Sequence, residues 1–304
     1  MQIKNKRSFI VGLKSTKLNN LEVKFLKRYK PWGVILFSRN IKSINQAKEL
    51  TKNIKKIFHD DNYPILIDQE GGRVSRLSKI IDTSIFTGEY FENLYKKDYR
   101  KFKVILKLYI KTISVILKKI GVNINTVPLL DVRFKNGHNI IGNRSFGSDP
   151  KIINKIGDFF IKEYHKNHIG TVIKHIPGHG RAKVDSHLTT PTVSSKINLL
   201  KKIDFATFKK KNSFFAMTAH IIYKDIDKEN PATHSKKIIE LIRNKIKYRN
   251  ILMSDDISMK GLKLSIKDNT IKAFEAGCNL VLHCNGRLDE MHIVAENSPK
   301  INNT

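Results

Sequence analysis

The segment IDQEGGRVSR, at residues 67–76, combines side chains that can hold an oxygen-rich ligand. Its apolar start predicts a strand that ends at Asp68, and Gly71 and Gly72 allow the backbone to turn tightly after it. Two arginines, Arg73 and Arg76, come next. A guanidinium donates its hydrogen bonds in a fixed fork geometry. Paired carboxylate and guanidinium groups suit a sugar. A structural Asp–Arg bridge would use the same residues, so the segment alone leaves both interpretations open.

A second segment, KHIPGHGRAKVDSH at residues 174–187, is rich in groups that transfer protons. Because Asp185 and His187 are two residues apart, the carboxylate can accept from one imidazole nitrogen in a tight loop and leave the other for acid–base work. Three histidines also raise the possibility of zinc. However, His175, His179 and His187 lack the H-x-x-x-H spacing of a helical zinc site, and no cysteine joins them. The pattern favours acid–base chemistry without a metal.

The third segment, ILMSDDISM at residues 251–259, is an apolar strand that ends in two adjacent acids. Successive side chains of a strand point to opposite faces, so only one of the two carboxylates can point into a site at the strand end. Asp255 is the candidate for a base, a metal ligand or a nucleophile. Asp256 also suits the cap of the following turn.

Two shorter segments carry weaker signals. Arg144, in IGNRSFG, is flanked by glycines and could approach a ligand closely, although a turn with a solvated arginine explains it nearly as well. His220, in MTAHI, could line a pocket, but we expect a buried histidine with its hydrogen bonds satisfied.

These segments belong to a regular alternation of short apolar stretches and longer helical patterns. The predicted strands are residues 9–13, 34–37, 65–68, 122–125, 172–175, 214–219, 251–254 and 280–283. The predicted helices are residues 44–58, 101–120, 150–167, 235–245 and 268–276. Ser235 and Asp268 suit N-caps, and Gly121, Gly170 and Gly277 suit helix C-termini.

Eight strands alternating with helices predict an α/β fold with parallel pairing, either a single (β/α)8 TIM-type barrel or a doubly wound sheet. Asp68, Lys174–His175, His220, Asp255–Asp256 and His283 all fall at or just beyond predicted strand ends. A catalytic barrel builds its site at that face, so the barrel is favoured. With no linker and no repeat, we expect one catalytic domain over residues 1–304.

Composition excludes several classes of protein. The 304 residues include 57 Lys+Arg and 27 Asp+Glu, a net charge of +30, but the lysines are spread evenly and no nucleic-acid-binding motif is present. No apolar run reaches the length of a membrane span or of a signal peptide, so we expect a cytoplasmic protein. Cys278 and Cys284 do not form a CxxC pair, and we expect both to be small buried residues.

Together the segments resemble family 3 of the glycoside hydrolases, specifically its bacterial cytoplasmic β-N-acetylhexosaminidases. The strings that carry the resemblance, in the family's order, are LFSRNI, IDQEGGRVSRL, IGNRSFG, KHIPGHGRAKVDSH, MTAHI, SDDISMKG and AGCNLVLHCNG. They span about residues 9–296 and leave a tail at 297–304.

The resemblance implies a (β/α)8 barrel that removes terminal β-linked N-acetylglucosamine with retention of configuration. It assigns the nucleophile to Asp255, the acid/base to His187 and the orienting carboxylate to Asp185. It assigns sugar binding to Asp68, Arg76, Arg144, Lys174 and His175. It implies no cofactor and no metal, and a role in peptidoglycan recycling on N-acetylglucosamine–anhydromuramyl peptides. We expect a monomer that binds this small carbohydrate, with no specific nucleic acid and no membrane span.

Three alternatives remain at this stage. For an N-acetyl sugar, the acetamido oxygen can itself attack, with Asp255 and Asp256 polarising it. A β-glucosidase of the same broad family would share the barrel but fit the DSH loop less well. A binding protein on an inactive barrel is the third. The sequence also departs from the family at Ile176, where a phenylalanine is common, and near its end, where we expect a shortened last helix.

Overall fold

A closed barrel of eight parallel strands forms the centre of the molecule. We describe a computed structural model in which residues 6–186 and 188–301 are defined. The strands, in chain order, are β1 (Arg7–Gly12), β2 (Pro31–Leu36), β3 (Ile65–Ile67), β4 (Ile124–Asn125), β5 (Gly170–Ile176), β6 (Thr192–Val193), β7 (Phe215–Thr218), β8 (Ile222–Tyr223), β9 (Ile251–Asp256) and β10 (Leu280–His283). The barrel order is β1-β2-β3-β4-β5-β7-β9-β10, closed by pairing of β10 with β1. β6 and β8 pair separately. Closure confirms the barrel and excludes the doubly wound sheet.

Helices form the outer layer. They are α1 (Asn20–Tyr29), α2 (Ile44–Phe58), α3 (Gly88–Lys97), α4 (Tyr99–Lys119), α5 (Pro150–Lys166), α6 (Ile197–Lys202), α7 (Lys236–Leu241), α8 (Ile266–Ala276) and α9 (Leu288–Glu296). The five predicted helices correspond to α2, α4, α5, α7 and α8, and α9 is the last helix, which was expected to be short. Helices α1, α3 and α6 were not predicted. The last helix, α9, is nine residues long and buries Met291, Val294 and Ala295.

Helix ends confirm three of the five predicted caps and correct two. Ser235 caps α7, and Gly121 and Gly277 follow α4 and α8 with φ of 77° and 109°. Asp268 is not the N-cap of α8: Ser265 is, and the Asp268 N–H donates to the Ser265 hydroxyl.

Gly170 is likewise not a helix terminus, because it begins β5. The left-handed position after α5 is occupied by His168, with φ of 58°.

Two apolar layers hold the barrel together. An inner cluster fills the barrel, and it comprises Ile10, Trp32, Ile35, Leu66, Ile124, Val172, Phe215, Met217, Met253, Leu280 and Leu282. A larger cluster lies between the strands and the helices. This division follows from the pleat, since alternate residues of each strand face the interior. Cys278 belongs to the outer layer, and Cys284 lies beyond the end of β10.

Among the described residues, no helix has the length and apolar character needed to cross a bilayer.

Candidate active site

A polar pocket opens at the carboxyl ends of the barrel strands. Its cavity volume is about 120 Å³, and residues from seven of the eight barrel units line it. Five of the predicted sugar-binding or catalytic side chains lie there with Asp255, and they are Asp68, Arg76, Arg144, Lys174 and His175. The strand ends of a TIM-type barrel converge on such a pocket, which is where its chemistry is usually found.

Strand periodicity explains why three of these side chains meet. Leu66, Val172 and Met253 belong to the inner cluster of the barrel. Asp68, Lys174 and Asp255 each stand two residues further along the same strand direction. Because the pleat repeats every two residues, side chains at these positions project towards the barrel axis at its open end.

A buried network of charges forms one wall of the pocket. Lys174 Nζ donates to an oxygen of Asp68 and lies 2.6 Å from Glu70 Oε1. Arg144 holds both oxygens of Glu70, with Nε–Oε2 and Nη2–Oε1 distances of 2.8 and 2.6 Å. Thr126 donates to Asp68 over 2.8 Å. The Lys174 side chain is only 2% exposed, so its orientation is fixed by these partners.

This network keeps its members ionised despite burial. Burial alone would raise the pKa of Asp68, but Lys174 and Arg76 lower it well below its usual range. The pKa of Glu70 is likewise lowered, because Arg144 and Lys174 outweigh the effect of burial. Burial would lower the pKa of Lys174, but Asp68 and Glu70 raise it. The wall therefore presents fixed charges and donors to a ligand rather than proton-transfer groups.

Phe37 and Arg76 line the pocket, and a second arginine, Arg39, lies against the Phe37 ring. Arg76 donates to Asp68 over 3.0 Å, and its guanidinium carbon lies 5.3 Å from the Phe37 ring centroid. Arg39 lies 4.8 Å from the same ring and donates to backbone carbonyls of Leu13 and Cys284. Phe37 therefore makes cation–π contacts with two arginines. Arg76 faces the pocket, whereas Arg39 is held by backbone carbonyls.

The two adjacent acids at the end of β9 have different environments. Asp256 accepts from the N–H of Ser258 over 3.0 Å, from its hydroxyl over 2.8 and 2.9 Å, and from the N–H of Cys284 over 3.1 Å. These bonds confirm that Asp256 caps the following turn. Asp255 lines the pocket with its side chain 18% exposed, and one of its oxygens accepts from the N–H of Asp256.

His175 links Asp255 to a buried carboxylate. Its Nε2 lies 3.9 Å from Asp255 Oδ2, and its Nδ1 lies 2.7 Å from Asp131 Oδ2. Asp131 is fully buried and also accepts from the backbone N–H groups of His175 and His179. Burial would raise its pKa, but His175 lowers it, so Asp131 is a carboxylate. It orients the His175 ring with Nδ1–H towards itself and Nε2 towards the pocket.

The loop that carries the predicted acid/base is attached at two points. Ser186 is 3% exposed and lines the pocket, and His179 Nε2 lies 3.0 Å from its hydroxyl. Thr190 donates to the Gly261 carbonyl over 2.6 Å. Asp185 is half-buried, and its carbonyl accepts from two backbone N–H groups of the loop. His187 lies outside the described residues.

Two of the strand-end histidines are not in the pocket. His220 is buried, with Nδ1 2.7 Å from the Thr233 hydroxyl and Nε2 3.0 Å from the Asp256 carbonyl, as expected for a core histidine. His283 contacts Glu290 of α9 at 2.9 Å. Its neighbour Leu282 lines the pocket, so the pleat turns His283 to the helix layer.

In the described ranges, 6–186 and 188–301, no three His, Cys, Asp or Glu side chains are grouped as metal ligands.

Sequence reasoning missed two buried carboxylates that hold the site together. Glu70 stands two residues after Asp68 within the first chemical segment, but no role was assigned to it. Asp131 ends the apolar run 127–131, beyond β4. Asp255 was singled out because it is a carboxylate that follows an apolar run. The same criterion identifies Asp131 if residues 127–131 are taken as the end of the strand.

The chain is similar to known proteins over nearly its whole length. The model of the glycosyl hydrolase family 3 N terminal domain matches residues 4–302. A β-hexosaminidase from Haemophilus influenzae is 31% identical over 309 residues, 96% of this chain and 85% of that protein. A β-hexosaminidase from Neisseria meningitidis serogroup A is 31% identical over 259 residues, 83% of this chain and 71% of that protein. The crystal structure of NagZ from Neisseria gonorrhoeae in complex with N-trifluoroacetyl-D-glucosamine superposes with a TM-score of 0.89 at 28% identity, covering 100% of this chain and 88% of that chain.

Proposed function

The chain belongs to glycosyl hydrolase family 3, as a bacterial β-N-acetylhexosaminidase, and on this premise we propose how its pocket performs the hydrolysis. The proposal rests on one observation above the others. Asp255 shares a pocket with a buried network of Lys174, Asp68 and Arg144, and with Ser186, the residue that precedes His187.

The charged wall binds the terminal N-acetylglucosamine. Asp68, Arg76, Arg144, Lys174 and His175 hold the sugar through its hydroxyls and its acetamido group. The support is their common lining of one pocket and their rigid mutual bonds. A network that is already ordered loses little freedom when the ligand binds, and this favours a single sugar orientation.

The hydrolysis proceeds in two steps, with Asp255 as the nucleophile. The Asp255 carboxylate attacks the anomeric carbon, the glycosidic C–O bond breaks, and His187 gives its proton to the departing oxygen. In the second step His187 takes a proton from water, the water oxygen bonds to the anomeric carbon, and the ester to Asp255 breaks. Two inversions leave the product in the β configuration. A histidine here replaces the second carboxylic acid that most retaining glycosidases use.

Asp185 positions the His187 ring and stabilises it when it is protonated. The sequence spacing supports this assignment, as does the attachment of the loop on both sides of His187, at Ser186 and Thr190. A loop attached at both ends brings an acid to a pocket more reproducibly than a loop fixed at one end.

Substrate assistance by the acetamido group has less support. That route would use Asp255 and Asp256 as a pair that polarises the acetamido group. Both oxygens of Asp256 already accept hydrogen bonds from Ser258, and Oδ1 also accepts from the N–H of Cys284. Using Asp256 on the substrate would therefore require breaking the turn that it caps.

We assign the natural substrate from the family resemblance. It is the N-acetylglucosamine–anhydromuramyl unit of peptidoglycan fragments and its peptides, cleaved in the cytoplasm during peptidoglycan recycling. The enzyme acts as a monomer with one catalytic domain and water as the acceptor.

Release of nitrophenol tests the proposal. The wild type should hydrolyse 4-nitrophenyl N-acetyl-β-D-glucosaminide far faster than the matching glucoside. We expect His187→Ala to lose about 10²–10⁴-fold in kcat, most with poor leaving groups. We expect Asp255→Asn to lose at least as much. A folded wild type inactive on both substrates would favour the binding-protein alternative. Preference for the glucoside would favour a β-glucosidase.

A further inference from the structure

The outer face of α4 carries both basic side chains and exposed aliphatic side chains. The helix is 21 residues long and contains seven Lys or Arg and no Asp or Glu. Six of the seven are exposed, and they are Arg100, Lys101, Lys107, Lys111, Lys118 and Lys119. Among the residues that the structure describes, none of the seven lies within ion-pair distance of a carboxylate. The acid nearest along the chain, Asp98, caps the helix by accepting from the Lys101 N–H.

Three aliphatic side chains run along this face between the cations. Val104, Leu108 and Val115 are 64%, 61% and 40% exposed. Their spacing of four and seven residues keeps them on one side of the helix, over about 16 Å at 1.5 Å per residue. The opposite side of α4 packs into the core through Leu106, Ile110 and other buried residues. Packing against the barrel therefore does not account for the exposed aliphatic stripe, and solubility does not require it.

We propose that this face of α4 binds the surface of an anionic phospholipid bilayer. The lysines would lie at the level of the lipid phosphates, and the three aliphatic side chains would enter the boundary between headgroups and acyl chains. Basic helices with an apolar stripe bind such surfaces through both effects together. The bound chain lies on the membrane and does not span it.

The same observations disfavour two other partners. The lysines could pair with the phosphates of a nucleic acid, but a nucleic acid offers no apolar layer for Val104 and Leu108. A second copy of the chain would bury the aliphatic stripe, but it would bring two sets of unpaired cations together. Anionic lipid is the partner that satisfies both the charges and the aliphatic side chains.

Vesicle co-sedimentation with the full chain tests the proposal. Wild type should bind vesicles of phosphatidylcholine containing about one-quarter phosphatidylglycerol, and should bind pure phosphatidylcholine vesicles at least about tenfold more weakly. High salt should reduce binding without abolishing it. Lys107→Glu/Lys111→Glu should weaken binding by at least about tenfold. The matched control Lys236→Glu/Lys237→Glu, on α7, changes the net charge equally and should have little effect.

A second pair of variants separates insertion from charge. Leu108→Ser should weaken binding about five- to tenfold, because the side chain no longer enters the bilayer. Leu21→Ser is the control, since Leu21 is 60% exposed on α1, away from this face. All variants should keep wild-type hydrolysis of the nitrophenyl substrate, which shows that they fold.

Three results would overturn the proposal. The first is no binding of wild type to the anionic vesicles. The second is equal loss in the α4 variants and their controls, which would reflect net charge alone. The third is loss of RNA binding, or of a concentration-dependent dimer, in the α4 variants while vesicle binding is unchanged.

Discussion

At the scale of single residues, the site depends on buried carboxylates that never need to touch the substrate. Asp131 is the clearest case, because it accepts from the His175 ring and from two backbone N–H groups. Glu70 has a similar part between Arg144 and Lys174. Asp68, Lys174, His175 and Asp255 were predictable from the sequence because they end apolar strands, whereas Arg76 and Arg144 were assigned through the family resemblance. Their supporting partners were not, since a buried acid within a loop has no spacing of its own.

Replacing Asp131 by asparagine should impair catalysis without removing any group that touches the sugar. The asparagine amide lacks the negative charge of Asp131. Its NH₂ group would also face at least one of the three N–H groups that donate to Asp131, which are the His175 ring and the backbone N–H groups of His175 and His179. Loss of a charged hydrogen bond costs about 1.5–3 kcal/mol, so kcat/KM should fall about 10- to 150-fold, with an altered pH profile. Steady-state kinetics from pH 5 to 9 measure both quantities.

The control for this change is Asp158→Asn, which removes an exposed carboxylate paired with Lys211. It should leave kcat/KM and its pH dependence unchanged. If Asp131→Asn also kept the wild-type profile, Asp131 would have no positioning role.

His234 should make stability dependent on pH below neutrality. Burial lowers its pKa from 6.5 to about 4, and its Nε2 is buried with no partner among the described residues. The folded state therefore resists protonation that the unfolded state accepts. The contribution of neutral His234 to the free energy of unfolding is fully present above pH 6.5. It is lost as the pH falls towards 4, by up to about 3 kcal/mol.

Urea unfolding of wild type and His234→Gln at several pH values measures this contribution. The difference in free energy of unfolding between the two proteins should shrink or reverse as the pH falls from 6.5 to 4. A difference that stays constant over this range would show that His234 titrates normally in the folded state.

At the scale of elements, a close backbone contact at Gly261 adds to the hydrogen bonds of Ser186 and Thr190 that attach the catalytic loop. A Cβ built on Gly261 would lie 2.3 Å from the Ser186 carbonyl oxygen, one residue before His187. Gly261→Ala should therefore displace this loop and lower kcat by about 10- to 100-fold, while the protein remains folded. Nitrophenol release and the far-ultraviolet circular dichroism spectrum measure the two effects.

Gly170→Ala provides the comparison for this prediction. A Cβ there would meet the Ile124 side chain at 3.2 Å, a group that can move slightly, and Gly170 lies at the start of β5. Its activity should remain within about twofold of wild type. Equal activity of the two alanine variants would show that the Ser186 contact does not position the loop.

The strands could be predicted more fully than the helices. All eight barrel strands lie within a few residues of their predicted positions, because each is an apolar run bounded by polar residues. Helices α1, α3 and α6 were missed because they are short and their buried face shows few apolar repeats. The caps at Asp268 and Gly170 were misplaced because another residue within three positions took the role, Ser265 in one case and His168 in the other.

At the scale of the whole molecule, the net charge of +30 should limit stability at low ionic strength. Like charges repel across the compact state, and salt screens this repulsion as the Debye length falls from about 30 Å at 0.01 M to about 8 Å at 0.15 M. We expect Tm to rise by about 2–4 °C for each kcal/mol of repulsion removed. Thermal unfolding in sodium and potassium chloride should give the same rise. A Tm that falls with salt would mean that the ion pairs outweigh the repulsion.

The barrel brings Asp255 into one pocket with Asp68, which lies almost two hundred positions earlier in the chain. The central claim is that Asp255 and His187 act together on one sugar. The most direct test is intact-protein mass spectrometry of His187→Ala with a dinitrophenyl N-acetyl-β-D-glucosaminide. This leaving group departs without acid help, whereas the second step lacks its base. We predict a stable mass increase of one N-acetylhexosamine residue, carried by the peptide that contains Asp255 and absent in His187→Ala/Asp255→Asn. Turnover without any adduct, or an adduct on another residue, would contradict the account.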